Sequence, residues 1–225
     1  MSTFTFEEKR HRYFLDGKAL TGITTVLNVI AKPALIGWAA RLATEYVRDN
    51  LKSLEELEQV LELAKNAHTR RKEEGGRKGT DVHKWCEEWI AGKDPAIPEE
   101  AKEQIAQFMR WVLDEDVKFL ESEKRMYSES LWLGGTCDAI ALIKGKKYVV
   151  DFKTQDRMWD RVPFLQMAGY LILLEEMGEK DFHGSCVVLL PKKGKLETFF
   201  TYDLENEKQA FLSTLKLYRY LQEKI

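Results

Sequence analysis

The stretch GGTCDAIALIKGKKYVVDFKT, residues 134–154, contains two apolar runs separated by a short basic turn. The turn at 144–146 predicts that AIALI and YVV form neighbouring antiparallel strands. Asp138 stands before the first run and Asp151 directly after the second. Antiparallel pairing brings these two ends together, so the sequence predicts that both carboxylates meet at one edge of a sheet. Each acid alone is also typical of a turn in which the side chain hydrogen-bonds to the nearby backbone, or of a strand end that becomes exposed to solvent.

Farther along the chain in both directions, the apolar patterns predict an α/β fold. Alternation over 4–16 predicts a hairpin that turns near Glu7–Arg10. Helical spacing predicts four helices before the strands, over 34–50, from an N-cap at Ser53 to Glu74, over 80–91, and from 98 to 120. Three strands then follow at 123–130, 136–143 and 147–152, with a turn at Gly134–Gly135. A helix over 160–177, strands in HGSCVVLLP and LETFFTYDL, and a helix over 204–224 complete the pattern.

The composition is that of a soluble globular protein, with 44% hydrophobic and 32% charged residues. No run approaches the roughly 18 to 20 apolar residues that a membrane span needs. The N-terminus lacks the basic-then-apolar order of a secretory signal. Cys86, Cys137 and Cys186 are scattered and odd in number, which predicts reduced thiols. We therefore expect a cytoplasmic protein without a membrane partner.

The net charge of −2 argues against binding nucleic acid by charge alone. It does not argue against an enzyme that gathers acids at a metal site and keeps its basic residues local. Lys192, Lys193 and Lys195 form one such basic cluster, which we interpret as solvated surface rather than as a DNA contact.

Two carboxylates held close together without a cation repel each other, and one of them tends to take up a proton. A divalent ion removes this conflict, and hard oxygen ligands suit Mg²⁺ or Mn²⁺. Lys153 follows Asp151 by two residues, so both side chains lie on one face of the strand. An ammonium group at that position can orient an attacking water or stabilise charge that develops on a phosphate.

The pattern GGTCDAIALI followed by YVVDFKT resembles the signature of the PD-(D/E)XK nucleases, an acid on one strand and Asp-x-Lys on the next. Two further motifs are similar to those of the RecB-type branch, which includes CRISPR-associated and phage exonucleases. They are GTDVH, which ends in His83, and QMAGY, which runs from Gln166 to Tyr170. The motifs occur in the family's order within residues 75–190, and the opening HRYFLDGKALTGITTVL is similar to phage members.

The resemblance implies roles for individual residues. The implied metal ligands are His83, Asp138, Asp151 and the Phe152 carbonyl, and Glu123 or Glu129 is expected to hold a water or a second metal. The implied catalytic residues are Asp138, Asp151, Lys153, Gln166 and Tyr170. From their sequence context alone, His83 is also typical of an ordinary helix surface or core, and Gln166 and Tyr170 of a polar edge and a core aromatic. Several RecB-type relatives bind an iron–sulfur cluster through four cysteines, so three cysteines predict no cluster.

The implied fold is one domain over 1–225, a central mixed sheet of the PD-(D/E)XK nuclease type flanked by helices. Its parts are a helical region that covers the cleft (34–120), the catalytic sheet and helix (121–203) and a C-terminal helix (204–225). Trp85, Trp89 and Trp111 lie in the helical region, where we interpret each as helix core rather than as a surface that stacks on bases.

The implied function is a Mg²⁺- or Mn²⁺-dependent deoxyribonuclease, an exonuclease rather than an endonuclease, in DNA repair, recombination or phage DNA processing. Its partner is DNA, as single strands or duplex ends, and a homo-oligomer or a recombination partner protein is compatible with this function. One alternative is a non-catalytic DNA-binding module of a recombination or replication complex. Another is a structural α/β protein in which the acids cluster by coincidence.

Overall fold

The computed structural model describes residues 2–30 and 33–223, apart from the side chains of 33–34 and 71–80. The chain forms two compact units. One combines the segment up to Val29 with the segment from Val82 onward, and the other is Ile30–Asp81. The first unit contains both sheets, whereas the second is helical. Among the described residues, no helix is long and apolar enough to cross a membrane.

The N-terminal residues form a small antiparallel sheet. Its strands, in spatial order, are β1 (Phe4–Glu7), β2 (Arg12–Leu15) and β3 (Lys18–Ala19). A 3-10 turn at Glu8–Arg10 joins the first two strands, and His11 takes a left-handed φ of 49° where that turn ends. The hairpin predicted from the alternation is therefore confirmed.

A six-stranded mixed sheet forms the centre of the first unit, with strand order β4–β6–β7–β8–β9 and with β5 paired to β6. Two pairs, β4–β6 and β7–β8, are parallel and the others antiparallel. The predicted α/β fold and the predicted meander of three strands are confirmed. The helix predicted from 98 to 120 is wrong beyond Asp114, because Val117–Ser128 form a strand. The strands are β4 (Thr21–Gly22), β5 (Val117–Ser128), β6 (Leu133–Ile143), β7 (Lys146–Lys153), β8 (Gly184–Leu189) and β9 (Glu197–Thr201).

The turn predicted at Gly134–Gly135 is wrong, because both glycines lie inside β6. A Cβ atom on Gly134 would come within 2.6 Å of the Cβ and Cγ of Tyr13. A Cβ atom on Gly135 would come within 2.9 Å of the ring of Tyr170. The glycines are therefore required by two tyrosine rings that pack against the strand, and the chain turns earlier, after Ser128.

Helices flank the large sheet, and two of them share one core with it. The helices of the chain are α1 (Ile23–Val26), α2 (Pro33–Asn50), α3 (Leu57–Lys65), α4 (Ala67–Ile90), α5 (Lys102–Asp114), α6 (Val162–Glu176) and α7 (Leu204–Gln222). Trp85 and Trp111 are buried in the core between the sheet, the end of α4 and α5, and Trp89 packs against it. Their interpretation as helix core is confirmed. All three cysteines are buried free thiols.

The helices of Ile30–Asp81 differ from the prediction in their boundaries. The predicted helix from Ser53 to Glu74 is wrong, because α3 ends at Lys65 and α4 starts at Ala67. The Ser53 side chain makes no capping hydrogen bond, so the predicted capping box does not form. α4 continues through Gly75–Gly76, where a break was expected. Glycine in a helix interior costs only about 1 kcal/mol, so it weakens a helix without having to end it.

The expectation that residues 34–120 cover a cleft stays a prediction. From Val82 onward, the described residues of α4 and α5 pack on the sheet as part of its core.

Candidate active site

Asp138 and Asp151 occupy facing positions on adjacent strands. β6 and β7 pair antiparallel as far as Ala139 and Val150. Asp138 and Asp151 each lie one residue beyond that pair, so the same register places them opposite each other. The charge of Asp138 acts on the Asp151 carboxyl. The structure therefore brings together the two acids that the strand pattern relates.

Phe152 links the two strand ends through its backbone. Its N–H donates a 2.7 Å hydrogen bond to Oδ2 of Asp138. In an extended strand, the N–H and C=O of one residue point to the same side, whereas those of the next residue point to the other. The Lys153 carbonyl accepts a bond from Leu190, beyond the end of β8. The Phe152 carbonyl therefore points toward the Asp138 side, as a metal ligand at this site would.

Lys153 and Asp151 form a buried ion pair on one face of β7. The Lys153 ammonium donates to Oδ1 of Asp151 over 2.8 Å. The Lys153 Nζ is also 2.7 Å from Oδ2 of Asp151, but the angles of this contact are not those of a hydrogen bond. Oδ2 is buried and receives no hydrogen bond from any described residue. Asp151 is only 2% exposed, so both of its oxygens lie inside the protein with the Lys153 ammonium as a charged neighbour.

The buried pair has perturbed acidity. Burial raises the pKa of the Asp151 carboxyl, against the opposing charge of Lys153 and with support from the charge of Asp138. Burial lowers the pKa of Lys153, but Asp151 and Asp138 outweigh it, and the net direction is upward. A second positive charge near Asp151 would favour its ionised form.

Glu123 brings a third carboxylate to the same place. Its neighbours Ser122 and Lys124 pair with Ala139 and Cys137, so Glu123 lies across from Asp138 on β5. It has a left-handed φ of 47°, a conformation that costs a residue with a side chain about 1 to 2 kcal/mol. Burial raises the pKa of Glu123 to about 7; the charges of Asp138 and Glu87 add to this effect and that of Arg125 opposes it. Three adjacent strands thus carry one acid each in a row.

His83 approaches this row from α4. Its Nδ1 is 3.7 Å from Oδ2 of Asp138, and its ring lies edge-on to Phe152. Glu87 follows four residues later on the same face of the helix, and its charge raises the pKa of Glu123. Glu87 is not part of the sequence motifs, although its spacing of four residues from His83 places both side chains on one helix face.

Gln166 and Tyr170 approach from α6 and hydrogen-bond to each other. The Gln166 Nε2 donates to the Tyr170 hydroxyl over 2.7 Å. Burial raises the pKa of Tyr170 well above its usual value, against the Gln166 hydrogen bond and with the charges of Asp151 and Asp138 adding to it. Tyr170 is buried with its ring against Gly135, whereas Gln166 is half-buried. Gln166 is therefore the member of this pair that a bound molecule can reach.

The N-terminal hairpin also reaches the site, through Tyr13. The Tyr13 hydroxyl is 3.0 Å from Oγ1 of Thr136 and 3.0 Å from Nε2 of His11. Thr136 precedes Asp138 by two residues on β6. The sequence holds no local signal for this contact, because Tyr13 and Thr136 are 123 residues apart.

The donors at this site suit a hard divalent cation. No group of three or more His, Cys, Asp and Glu side chains in the described part of the chain stands arranged to hold a metal. Asp138 instead accepts the Phe152 N–H, and Asp151 accepts from Lys153. Oδ2 of Asp151, which receives no hydrogen bond from a described residue, and the Phe152 carbonyl are nonetheless oxygen donors of the kind that Mg²⁺ and Mn²⁺ prefer, and His83 adjoins them.

A scan against models of protein families finds no match, and no curated protein matches the chain. A putative exonuclease from Eubacterium rectale has a similar structure, with 14% identity, a TM-score of 0.43, and 60% of this chain and 62% of that chain covered. An alkaline exonuclease from Laribacter hongkongensis has 11% identity and a TM-score of 0.36, with 90% of this chain and 91% of that chain covered. A phage related exonuclease from Haemophilus somnus 129PT has 11% identity and a TM-score of 0.33, with 79% of this chain and 91% of that chain covered.

The chain thus spans less than two thirds of the Eubacterium rectale protein. At these identities and TM-scores the likenesses assign neither a family nor an activity.

Proposed function

We propose that the chain is a metal-dependent nuclease that hydrolyses phosphodiester bonds in DNA. The observation that supports this most is the meeting of Asp138, Asp151 and Lys153 at one edge of the sheet, where Oδ2 of Asp151 is buried and receives no hydrogen bond from any described residue. Hydrolysis of a phosphate ester requires groups that neutralise negative charge and hold a water in line with the phosphorus. Acids that hold a cation, together with an adjoining ammonium, meet both requirements.

Asp138, Asp151 and the Phe152 carbonyl would hold Mg²⁺ or Mn²⁺, with His83 beside them and Glu123 placed for a water or a second ion. When bound, such an ion supplies Lewis acidity that neutralises charge on the phosphate. The protein holds these metal ligands in fixed positions, since Asp138 accepts a hydrogen bond from the backbone of β7 and Asp151 is buried.

Lys153 contributes a fixed positive charge in this proposal. Its hydrogen bond to Asp151 orients the ammonium group, and its side chain is 27% exposed, so a substrate phosphate can reach it. The ammonium donates to a phosphate oxygen or to the attacking water, and it stabilises the charge that develops there. Gln166 contacts the phosphate with its amide, and Tyr170 holds Gln166 and the backbone of β6 in place.

We further propose exonuclease action in the cytoplasm on the ends of DNA, as in repair, recombination or phage DNA processing. The exonuclease action rests on the sequence motifs, which resemble those of the RecB-type branch of the PD-(D/E)XK nucleases, and the cytoplasmic location rests on the scattered cysteines.

The purified protein is expected to degrade linear DNA with Mg²⁺ or Mn²⁺ and to stop when EDTA is added. Asp138→Asn is expected to lower the rate about a hundredfold or more, because it removes a charge from the reacting site. The matched control is Asp116→Asn, an exposed acid before β5 that is expected to keep the wild-type rate. End-labelled single and double strands reveal the direction of digestion. A wild-type protein without metal-dependent hydrolysis, or a fully active Asp138→Asn, would contradict the proposal.

Binding of the cation has a readout that needs no turnover. Because an ion that binds the folded state stabilises it, Mn²⁺ is expected to raise the melting temperature of the wild-type protein in a saturable way. Asp151→Asn is expected to lose most of this increase, whereas Asp116→Asn keeps it. Equal increases in the wild type and in Asp151→Asn would show that Mn²⁺ binds elsewhere. Calorimetric titration of the same three proteins checks the result.

A further inference from the structure

The loop from Thr154 to Arg161 leaves the candidate site directly. It follows Lys153, the last residue of β7, and precedes Val162, the first residue of α6. Helix α6 carries Gln166. Trp159 is six residues beyond Lys153, so its Cα lies within about 20 Å of that of Lys153, the reach of a fully extended chain. Both ends of this loop therefore belong to elements of the proposed site.

Trp159 is exposed in this loop. Of the six tryptophans, all of which the structure describes, it alone is largely in solvent, at 61% exposure. The guanidinium of Arg157 lies 3.7 Å from the centre of its ring. This contact covers one face of the indole and gives it a positive neighbour, and the high exposure requires that much of the remaining ring surface faces water. An indole in this state is an open stacking surface.

The end of the loop is held in place. Oδ1 of Asp160 accepts the Val162 N–H over 2.9 Å at the start of α6. Arg161 pairs with the buried Glu207 on α7 and lies over the ring of Phe164. Trp159 is thus presented next to an anchored turn, which lowers the entropy lost when a ligand stacks on it.

A second basic segment leaves the same edge of the sheet. β8 runs parallel to β7, with Leu189 opposite Lys153, so the chains that follow the two strands emerge side by side. The segment after β8 carries Lys192, Lys193 and Lys195, all of them exposed. The sequence alone indicates only solvated surface for these lysines, and their position beside the end of β7 is what favours a contact with DNA. In open α/β sheets, the carboxyl ends of neighbouring parallel strands are the usual place for ligands. Positive charge and an open aromatic surface therefore occur on two loops beside the proposed site.

We infer that Trp159, backed by Arg157, stacks on an unpaired base of the substrate, and that the lysines after β8 contact the adjoining phosphates. This inference rests on the proposed function and adds a substrate class to it: DNA with unpaired bases near the bond that is cut, single strands above all. Aromatic stacking and a basic track are the two means by which proteins hold single strands without reading their sequence. In a blunt duplex the bases are stacked on one another, and only the outer face of the terminal pair is open to the indole.

The test compares initial rates of the full-length protein with Mg²⁺ on a single strand and on a blunt hairpin duplex of equal length. Trp159→Ala is expected to lower kcat/KM on the single strand about tenfold, mainly through KM, because base–aromatic stacking is lost. The blunt duplex rate is expected to stay unchanged. Trp159→Phe is expected to retain most of the single-strand rate. Tyr220→Ala, which removes another exposed aromatic on α7, is the matched control and is expected to match the wild type on both substrates.

A modified substrate isolates the stacking contact. On a single strand with abasic nucleotides beside the scissile bond, the kcat/KM of the wild type is expected to fall. The size of this fall is expected to equal the effect of Trp159→Ala on the normal strand. Trp159→Ala acting on the abasic strand is expected to have no lower kcat/KM than either change alone gives. A Trp159→Ala protein that equals the wild type on single strands, or that loses equally on both substrates, overturns the inference. A wild-type protein that hydrolyses neither substrate overturns the proposed function, a result distinct from either of these.

Discussion

Lys153→Met is expected to lower the rate of DNA hydrolysis about a hundred- to a thousandfold, the usual effect of removing one fixed donor from a charged transition state. Lys153 donates to Asp151 at the end of β7, and its ammonium is the partly exposed positive charge of the pair. Methionine keeps the length and apolar stem of lysine but has no charge. The measurement is kcat on end-labelled linear DNA with saturating Mg²⁺.

Two further variants separate chemistry from folding. Lys153→Met leaves Asp151 buried without its counter-charge, so the fold must be checked by circular dichroism and melting. Lys153→Arg keeps the charge on a different shape and is expected to fold, yet to recover only part of the rate. Lys118→Met, at an exposed position of β5, is the control and is expected to keep the full rate. A folded Lys153→Met protein with the wild-type rate would remove Lys153 from the reaction.

Phe108→Ala is expected to lower the free energy of unfolding by about 3 to 5 kcal/mol, the range for large-to-alanine changes at fully buried aromatic positions. Phe108 is 0% exposed on α5. Its ring centre lies 5.6 Å from that of Phe152, 5.9 Å from that of Phe119 and 6.0 Å from that of Trp111. Truncation leaves a cavity among stiff rings that cannot collapse to fill it.

The measurement is urea unfolding followed by circular dichroism, with wild type and variant compared at equal slope. Leu113→Ala on the same helix is the control, since Leu113 is largely in solvent and surface changes usually stay within about 0.5 kcal/mol. Because Phe152 lies between Asp151 and Lys153, Phe108→Ala is also expected to reduce the hydrolysis rate of the protein that remains folded. A loss of stability no larger than that of Leu113→Ala would show that the aromatic cluster repacks without strain.

Much of the sheet follows from local patterns in the sequence. Short apolar runs around 138–143 and 147–152, joined by a basic turn, specify an antiparallel pair, and the period of two specifies which residues share a face. For this reason the meeting of Asp138 and Asp151, and the pairing of Asp151 with Lys153, can be predicted from the order of residues alone. The apolar run of β8 likewise indicates a strand that is covered on both faces.

Other features depend on contacts between distant parts of the chain. Gly134 and Gly135 have the local signature of a turn, and only the packing of Tyr13 and Tyr170 against them explains why they lie inside a strand. α4 runs through its glycine pair because helix propensity is a weak preference that the rest of the fold can override. The left-handed backbone of Glu123 has no signal in its own residue type. Its pKa is raised chiefly by burial and further by the charges of acids from two other elements, and both effects arise only in the folded chain.

The two tyrosines also limit how this sequence can change over evolutionary time. Any side chain at position 134 would collide with the Cβ of Tyr13, which no rotamer change can move away. A larger residue at 134 is therefore tolerable only together with glycine at 13 or with a shift of the hairpin backbone. At 135 the clash is with the ring of Tyr170, which a smaller residue at 170 relieves. Variation at these positions is coupled in pairs, so a hairpin far from Asp138 in the chain and the strand that carries Asp138 must diverge together.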